Sequence, residues 1–426
     1  MSDVWILGSY TTPFGKHGDL DFKQLTRQSY LGALDDAGLG GSGGDAIESA
    51  WFGNCLMDTW GQGCIRGQVC MIELVDEGLF PRHVPVINVE GACATASMAL
   101  HAAVKEIKAG DADVVLALGV EKVYRPGSES DPEMKQVMFD SFDAGMDNFD
   151  RSRLLDEYAK AAAAAGRTFE HGPGRTLFMD TYAMQAALHM HRFGTTQAQI
   201  AASAAKNHTY GSLNPNAQYR FPMTVDEVLA DREVSWPLTR SMCAPIGDGG
   251  ASAIVCSERF LASQPANVRE RAVRVMATTL TGGTYRAIEE PSLSWHAAQR
   301  AYDRAGIGPA DVDVAEVHDA TSFGEIHQVE MLGFCAEGQG GAFVAAGATG
   351  PGGSIPVNTG GGLVSKGHPV GATGLSMINE LVTQLRGEAG ERQVPDARIA
   401  LQENGGGVMG LEEAACSVTL LARSDR

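Results

Sequence analysis

Short apolar runs alternate with helical patterns along the chain and predict a mixed α/β protein. Residues 113–119 and residues 397–402 are nearly continuous apolar runs, which is typical of strands buried on both faces. Between such runs lie helical patterns, and residues 94–108 place Leu100, Val104 and Ile107 on one face. Strands that alternate with helices indicate βαβ units and mainly parallel sheets.

The same order of elements occurs twice. Residues 31–55 and residues 295–322 both read as an amphipathic helix, a glycine-containing linker and a strand. Residues 84–119 and residues 355–407 both read as a short strand, a glycine-rich turn, a helix of small residues and an apolar strand. We interpret this order as an internal duplication, which predicts two similar sheets side by side with helices between and outside them.

A more polar and acidic stretch separates the two copies. It carries three helical patterns, over residues 154–165, 181–193 and 197–207. We expect an inserted, mostly helical loop domain, which either decorates the surface or forms a lid over a site between the halves. The expected domains are an N-terminal half (residues 1–120, completed by residues 237–265), the loop domain (residues 121–236) and a C-terminal half (residues 266–426).

The charge and the cysteine content of the chain exclude several classes of function. The chain has 33 Lys+Arg against 52 Asp+Glu, a net charge of −19, which argues against nucleic-acid and anionic-membrane partners but leaves room for a local basic patch. The first residues show no signal peptide, and no apolar run reaches the roughly 18 residues of a membrane helix, so we expect a cytoplasmic protein. Eight cysteines without a Cys-x-x-Cys pair predict reduced thiols and no metal site.

Two residues on corresponding turns are candidates for nucleophilic chemistry. Cys93 follows a short strand and opens a helix, where unpaired N–H groups and the helix dipole favour the thiolate. His368 lies on the glycine-rich turn at the corresponding place in the second half, where an imidazole can activate a thiol or hold an oxyanion. A buried structural cysteine and a capping histidine are the alternative interpretations.

Further candidates follow other predicted strands. His318 ends an apolar strand, and the carboxyl ends of parallel strands are where ligand sites form. Asn404 and Gly406 belong to a run that we expect to follow the strand at residues 397–402, and its glycine N–H groups could supply an oxyanion hole. Strand-end turns from both halves therefore predict one shared site.

These motifs resemble the thiolase superfamily over nearly the whole chain. Residues 91–94 (GACA) resemble its nucleophile turn, residues 119–122 (GVEK) the strand end that leads into its loop domain, and residues 367–374 (GHPVGATG) its histidine motif. His318 and Asp319, in place of Asn-Glu, are similar to the sterol-carrier-protein-type and archaeal branches. The resemblance implies a five-layered αβαβα thiolase fold, coenzyme A as co-substrate without a bound cofactor, and a homodimer or dimer of dimers.

The resemblance also implies residue roles. Cys93 would carry the acyl group as a thioester, and His368 would activate it and help to polarise the substrate thioester oxygen. His318 would occupy the oxyanion position that Asn fills in most members. The remaining implied roles are a second oxyanion hole from the N–H groups of Cys93 and Gly406, and substrate or coenzyme A binding by Met179 and Gly362.

The chain departs from the family at its second catalytic thiol. Asn404 stands where typical thiolases have the acid/base cysteine of a Cys-x-Gly motif, and Ala320 stands where sterol-carrier-type members have a cysteine. Protonation of the leaving carbanion would therefore need His318, a water molecule or a substrate that stabilises its own carbanion.

Several functions follow from this resemblance. The leading hypothesis is thiolytic cleavage of a 3-oxoacyl-CoA through a Cys93 acyl-enzyme, with a bulky or aromatic substrate such as benzoylsuccinyl-CoA. A ketoacyl-synthase-like Claisen or decarboxylative condensation is an alternative, as is a non-catalytic acyl-CoA-binding subunit. A retro-aldolase becomes attractive only if Cys93 is dispensable. Bacterial relatives with the His-Asp motif often work with a small zinc-ribbon/OB-fold partner protein, and we expect no nucleic-acid or membrane partner.

Overall fold

The computed structural model describes residues 3–172, 176–286 and 290–425. Its first part alternates strands and helices, as the apolar pattern predicts. The first helix begins after Asp21, whose side chain accepts a hydrogen bond from the N–H of Gln24 in a capping box. The elements are β1 (Val4–Thr11), α1 (Phe22–Asp36), β2 (Ser49–Gly53), α2 (Arg66–Asp76), β3 (Val86–Val89), α3 (Thr95–Ala109) and β4 (Val114–Glu121).

The stretch between the two copies is mostly helical. Its elements are α4 (Pro132–Asp140), α5 (Arg151–Ala164), α6 (Leu177–Phe193), α7 (Gln197–Ser212), α8 (Val225–Ala230), β5 (Glu233–Ser235) and β6 (Leu238–Thr239). Helix α6 begins four residues before the predicted pattern because the Thr176 hydroxyl accepts from the N–H of Met179 and caps it. Tyr158 and Ile200 share an apolar core with Val317, so these helices pack on the second half.

The remaining elements complete both halves. They are β7 (Gly249–Ser257), α9 (Glu258–Ala262), α10 (Ala266–Arg271), β8 (Val273–Gly282), α11 (Leu293–Ala305), β9 (Val314–Glu316), α12 (Ser322–Met331), α13 (Gly340–Ala345), α14 (Thr373–Arg386), β10 (Ile399–Gly406) and β11 (Ala415–Ala422). None of the helices in the described part of the chain is long and apolar enough to cross a membrane.

Nine strands form one continuous sheet, and its two portions, called here the first and the second sheet, join where β1 pairs with β8. Strands β5 and β6 form a separate two-stranded sheet. The order of the nine strands is β3-β2-β4-β7-β1-β8-β11-β10-β9, and β1 pairs with β8 only at Trp5–Arg274 and Ile6–Val273. In the first sheet β7 runs antiparallel between β4 and β1, and in the second β11 runs antiparallel between β10 and β8. The two halves therefore share one topology, as the internal duplication predicts.

Helices form three layers around these sheets. Leu34 of α1 and Leu74 of α2 pack on the outer face of the first sheet. Helices α3 and α14 lie between the sheets, where Leu100 and Leu375 share one buried core. Helices α11 and α12 cover the outer face of the second sheet, and Phe323 of α12 belongs to the apolar core on that face. The order of layers is αβαβα, which confirms the predicted thiolase fold.

Two predicted elements differ in the structure. The strand expected at the start of residues 355–407 is reduced to a single bridge between Ala315 and Val357, in which the Ala315 N–H donates to the Pro356 carbonyl oxygen (3.0 Å) and the Asn358 N–H donates to the Ala315 carbonyl oxygen (2.8 Å). The strand expected at residues 397–402 continues through Gly406, paired with β11. Asn404 and Gly406 therefore lie within a strand rather than on a turn after it. The domain boundaries stay a prediction.

Candidate active site

Cys93 lies in a tight turn between β3 and α3. Ala92 has a φ of 49°, a left-handed conformation that residues other than glycine rarely adopt. Its N–H donates to the Glu90 carboxylate (2.6 Å), and the Gly91 N–H donates to the Thr95 hydroxyl (2.9 Å). These bonds hold the turn that places the Cys93 thiol, only 6 % exposed, just ahead of the first turn of α3.

His368 is the partner of this thiol. Its Nε2 lies 3.1 Å from the Cys93 sulfur, and its Nδ1 lies 2.7 Å from the Thr373 hydroxyl. That hydroxyl donates its own proton to the Pro369 carbonyl oxygen (3.0 Å) and therefore accepts from Nδ1–H. Because the proton is held on Nδ1, Nε2 is free to accept the proton of the thiol.

His318 completes a group of three side chains from both halves. A ring nitrogen of His318, the His368 imidazole and the Cys93 sulfur all lie within 4.8 Å of one another. The Nδ1 of His318 is 2.9 Å from the Glu413 carboxylate, and its main-chain N–H donates to Glu403 (3.0 Å). Its Nε2 is buried and has no hydrogen-bond partner within the described ranges, so it is free for a substrate oxygen or carbanion.

The two imidazoles have opposite charge states. Burial alone would lower the pKa of His318, but its interactions with Cys93 and Glu413 raise that pKa well above its usual value. Burial, followed by the positive charges of His318 and Lys366, lowers the pKa of His368 well below its usual value. At neutral pH one ring is a proton donor and the other a base. A proton donor and a base beside one thiol suit proton transfer.

The residues expected to form the second oxyanion hole are neighbours. A side chain at Gly406 would lie 2.7 Å from the main-chain nitrogen of Cys93, so glycine allows β10 to pack directly against this nucleophile turn. Asn404 points elsewhere, because its side-chain oxygen accepts from the Ser97 hydroxyl (2.8 Å). Gly362 packs against Asp319. Asn404 and Gly362 are both described residues, and neither of them lines the cavity at Cys93.

A cavity of about 460 Å³ opens at Cys93 and His368. Much of its wall comes from the inserted helical stretch. Its lining includes apolar side chains (Met138, Phe139, Phe142, Phe178, Met179, Val234 and Ile246) and cationic ones (Lys16, Arg66, Lys135, Arg232 and Arg240). Met179 therefore lies where it was expected, in the cavity wall. An apolar wall with a set of cations suits a ligand that joins an apolar chain to phosphates.

Sequence reasoning missed three residues of this site. Thr373 fixes the tautomer of His368, and Glu413 bonds His318. Cys55 also lines the cavity, where its thiol contacts the Ala92 carbonyl oxygen (3.0 Å). Burial, followed by the charge of Glu121, raises the pKa of Cys55 well above its usual value, so this thiol stays protonated. Cys55 follows β2, and that strand-end position was the one signal that could have found it.

Comparison with known proteins identifies the family of the chain. The family model "Thiolase, N-terminal domain" matches residues 4–228, and "Thiolase C-terminal domain-like" matches residues 291–418. An acetyl-CoA acetyltransferase of Methanothermobacter thermautotrophicus is 35 % identical over 96 % of this chain and 98 % of its own length. Sterol carrier protein 2 of Homo sapiens is 36 % identical over 97 % of this chain and 73 % of its own length. The benzoylsuccinyl-CoA thiolase subunit BbsB of Thauera aromatica is 31 % identical over 95 % and 94 %.

Solved structures share the fold. An Ltp2-ChsH2(DUF35) aldolase superposes with a TM-score of 0.76 at 21 % identity, covering 100 % of this chain and 98 % of that chain. Human mitochondrial 3-ketoacyl-CoA thiolase superposes with a TM-score of 0.64 at 15 % identity, covering 99 % of each chain. With the family models and relatives, the chain belongs to the thiolase superfamily, in its sterol-carrier-protein-type branch, and is an acyltransferase of the thiolase class that acts on acyl-CoA.

Proposed function

We propose that the protein cleaves a 3-oxoacyl-CoA with coenzyme A through an acyl-enzyme on Cys93. The observation that carries the proposal is the 3.1 Å contact between the Cys93 sulfur and His368 Nε2, with a second, protonated imidazole beside them. A neutral base next to a thiol at the start of a helix is the arrangement that nucleophilic catalysis needs. A non-catalytic binding subunit has no use for it.

In this mechanism His368 takes the thiol proton while the Cys93 sulfur attacks the 3-oxo carbon. The N–H groups of Cys93 and Gly406 stabilise the oxyanion, and the bond between C2 and C3 breaks. The electron pair goes to C2 as the enolate of the leaving acyl-CoA, held by the imidazolium of His318. Coenzyme A then attacks the Cys93 thioester and carries the acyl group away, which gives ping-pong kinetics.

We propose a bulky or aromatic acyl group for the substrate. The cavity wall carries several aromatic side chains, Phe139, Phe142, Phe178 and Tyr182 among them, and such rings favour a large apolar group. The names of two relatives suggest acyl groups of different sizes, since one is named acetyl-CoA acetyltransferase and another benzoylsuccinyl-CoA thiolase subunit. The kcat/KM values for benzoylsuccinyl-CoA and acetoacetyl-CoA decide between them, and a higher value for acetoacetyl-CoA would contradict a bulky substrate.

We also propose that the protein works as a homodimer or dimer of dimers together with a small zinc-ribbon/OB-fold partner. The supporting observations are that the relative BbsB is a subunit and that the fold is shared with an Ltp2-ChsH2(DUF35) aldolase. Light scattering of the purified chain measures the oligomer. Full thiolysis by the chain alone would contradict the need for a partner.

The nucleophile is tested by labelling with limiting iodoacetamide over a range of pH, read by peptide mass spectrometry. We expect Cys93 to react faster than Cys64 because His368 Nε2 can accept its proton, and its acyl-CoA substrate to block the reaction. Cys64 is exposed and serves as the ordinary thiol in the same sample. Cys93→Ala should abolish thiolysis. Labelling of Cys93 no faster than Cys64, or thiolysis by Cys93→Ala, contradicts the mechanism.

A further inference from the structure

A carboxylate fills a space beside the site that a side chain from β10 would otherwise take. A Cβ atom built at Gly405 would lie 1.6 Å from Oε2 of Glu413. Position 405 lies in the same run, between Asn404 and Gly406, in which the resemblance to thiolases places the second catalytic thiol. The structure therefore puts an ionisable group from a different segment close to where the family has its acid/base cysteine.

Glu413 is held firmly in the turn between β10 and β11. Its main-chain N–H donates to the carboxylate of Glu412 (3.0 Å). Glu412 in turn forms an ion pair with Arg286 and accepts from the N–H of Leu293 (3.0 Å) at the start of α11. The side chain of Glu413 itself is buried. This frame fixes the direction of its carboxylate.

The carboxylate of Glu413 bonds the ring of His318. Its Oε1 is 2.9 Å from Nδ1, so the Nε2 of the same ring is left to face Cys93. The other ionisable groups that interact with this carboxylate are Glu403, Glu412, Cys416 and Tyr182. Burial, followed by the charge of Glu413, raises the pKa of Glu403 to about 7, so this second carboxyl group is only partly ionised at neutral pH.

We propose that Glu413 is the positioning residue that makes His318 the proton donor to C2 of the leaving acyl-CoA, in place of the missing thiol. This inference rests on the proposed thiolase reaction. When the C2–C3 bond breaks, the electron pair on C2 takes the Nε2 proton of His318, and a neutral ring remains with Nδ1–H bonded to Glu413. Solvent then returns a proton to the His318 ring. Coenzyme A loses its thiol proton to solvent as it attacks the Cys93 thioester, and His368 returns its proton to the departing sulfur of Cys93.

The test separates chemistry at C2 from acyl transfer at Cys93. Chemistry at C2 is measured by exchange of the C2 hydrogens of the product acyl-CoA with deuterium, read by mass spectrometry. Acyl transfer at Cys93 is measured by exchange of labelled coenzyme A into the acyl-CoA. The variant is Glu413→Gln. Its matched control is Glu330→Gln, because Glu330 bonds buried His189 in the same way (3.1 Å) outside the cavity of Cys93.

We expect Glu413→Gln to slow C2 hydrogen exchange by about 100-fold or more, the scale of a lost general acid, and to change coenzyme A exchange by less than about threefold. C2 hydrogen exchange needs the neutral His318 ring to remove the C2 proton, so it falls as pH drops through the pKa of His318. This acid limit should move to lower pH in Glu413→Gln, because loss of the carboxylate lowers that pKa. Glu330→Gln should leave both exchange reactions unchanged.

Each other outcome has a meaning. If Glu413→Gln slows both exchange reactions equally, or slows neither of them, the proposed role of Glu413 is overturned. If wild-type protein shows no coenzyme A exchange, the proposed thiolase function fails instead. Should Glu413→Gln not fold, Glu413→Asp replaces it. Its shorter side chain should slow C2 exchange at least about tenfold while sparing coenzyme A exchange, and an unchanged C2 exchange would overturn the inference.

Discussion

Gly405 shows how one missing side chain creates room for another residue. Replacing it with alanine would place a Cβ atom within bonding distance of the Glu413 carboxylate, so Glu413 must leave its bond with His318. We expect Gly405→Ala to lower the free energy of unfolding by about 1–3 kcal/mol, the cost of overpacking, and to slow C2 hydrogen exchange. Denaturant unfolding and deuterium exchange measure these effects.

The control for Gly405→Ala is Gly282→Ala at the end of β8. A Cβ atom at Gly282 would meet no atom within 4 Å. That substitution should leave both the free energy of unfolding and C2 hydrogen exchange as they are. If Gly405→Ala behaves in the same way, the carboxylate can move aside without consequence, and its fixed placement loses its importance.

The opposite charge states of the two imidazoles predict the pH dependence of turnover. His368 must be neutral to accept the thiol proton, so activity falls as pH drops through its lowered pKa. His318 must be protonated, so activity falls as pH rises through its raised pKa. The profile of kcat/KM should therefore have a plateau that includes pH 6.5. A single inflection at pH 6.5, the value of an ordinary histidine, would contradict both assignments.

At the scale of elements, helix α14 controls the orientation of the base. Its first residue, Thr373, bonds the Nδ1 of His368 and the Pro369 carbonyl oxygen. Thr373→Val keeps the shape but removes this bond, and we expect kcat to fall about tenfold or more because the proton is no longer fixed on Nδ1. Steady-state thiolysis measures the change.

Thr383→Val on the same helix is the matched control. The Thr383 hydroxyl donates to the Asn379 carbonyl oxygen (2.8 Å), the same bond to the fourth preceding residue that Thr373 makes. Its removal should not change kcat. Equal losses in both variants would mean that the helix, and not the tautomer of His368, is what Thr373 supports.

Comparison of the expected and observed elements also shows what the sequence alone can predict. Apolar periodicity depends on neighbouring residues alone, and it predicts elements such as α3 and β4. The expectation of mainly parallel sheets was wrong, because β7 and β11 run antiparallel to both of their neighbours. Glu413 was not predicted because its contact with His318 joins residues far apart in the chain, and no local pattern marks it. Asn404 was placed by position in a motif, but the alternation of β10 turns its side chain towards Ser97.

At the scale of the whole molecule, a local basic surface lies on an acidic protein. The net charge is −19, yet five cationic side chains line the cavity. We expect Lys135→Glu to raise the KM for an acyl-CoA about three- to tenfold with kcat unchanged, because a charge near the phosphates acts on binding alone. Added salt should shrink this difference.

Lys105→Glu is the control for Lys135→Glu. It makes the same change of charge at an exposed position of α3 that does not line the cavity. The KM should stay as in the wild type. Equal increases in both variants would mean that net charge, rather than the cationic side chains of the cavity, governs the KM.

The division of the site between the two halves fixes the order in which a new chain becomes reactive. Cys93 and its base are 275 residues apart in sequence. A ribosome needs on the order of tens of seconds to cover that distance. During that time the nascent chain carries an ordinary thiol, because neither His368 nor His318 has reached it. Under the proposed mechanism, only a chain that has docked both halves can take an acyl group from a thioester.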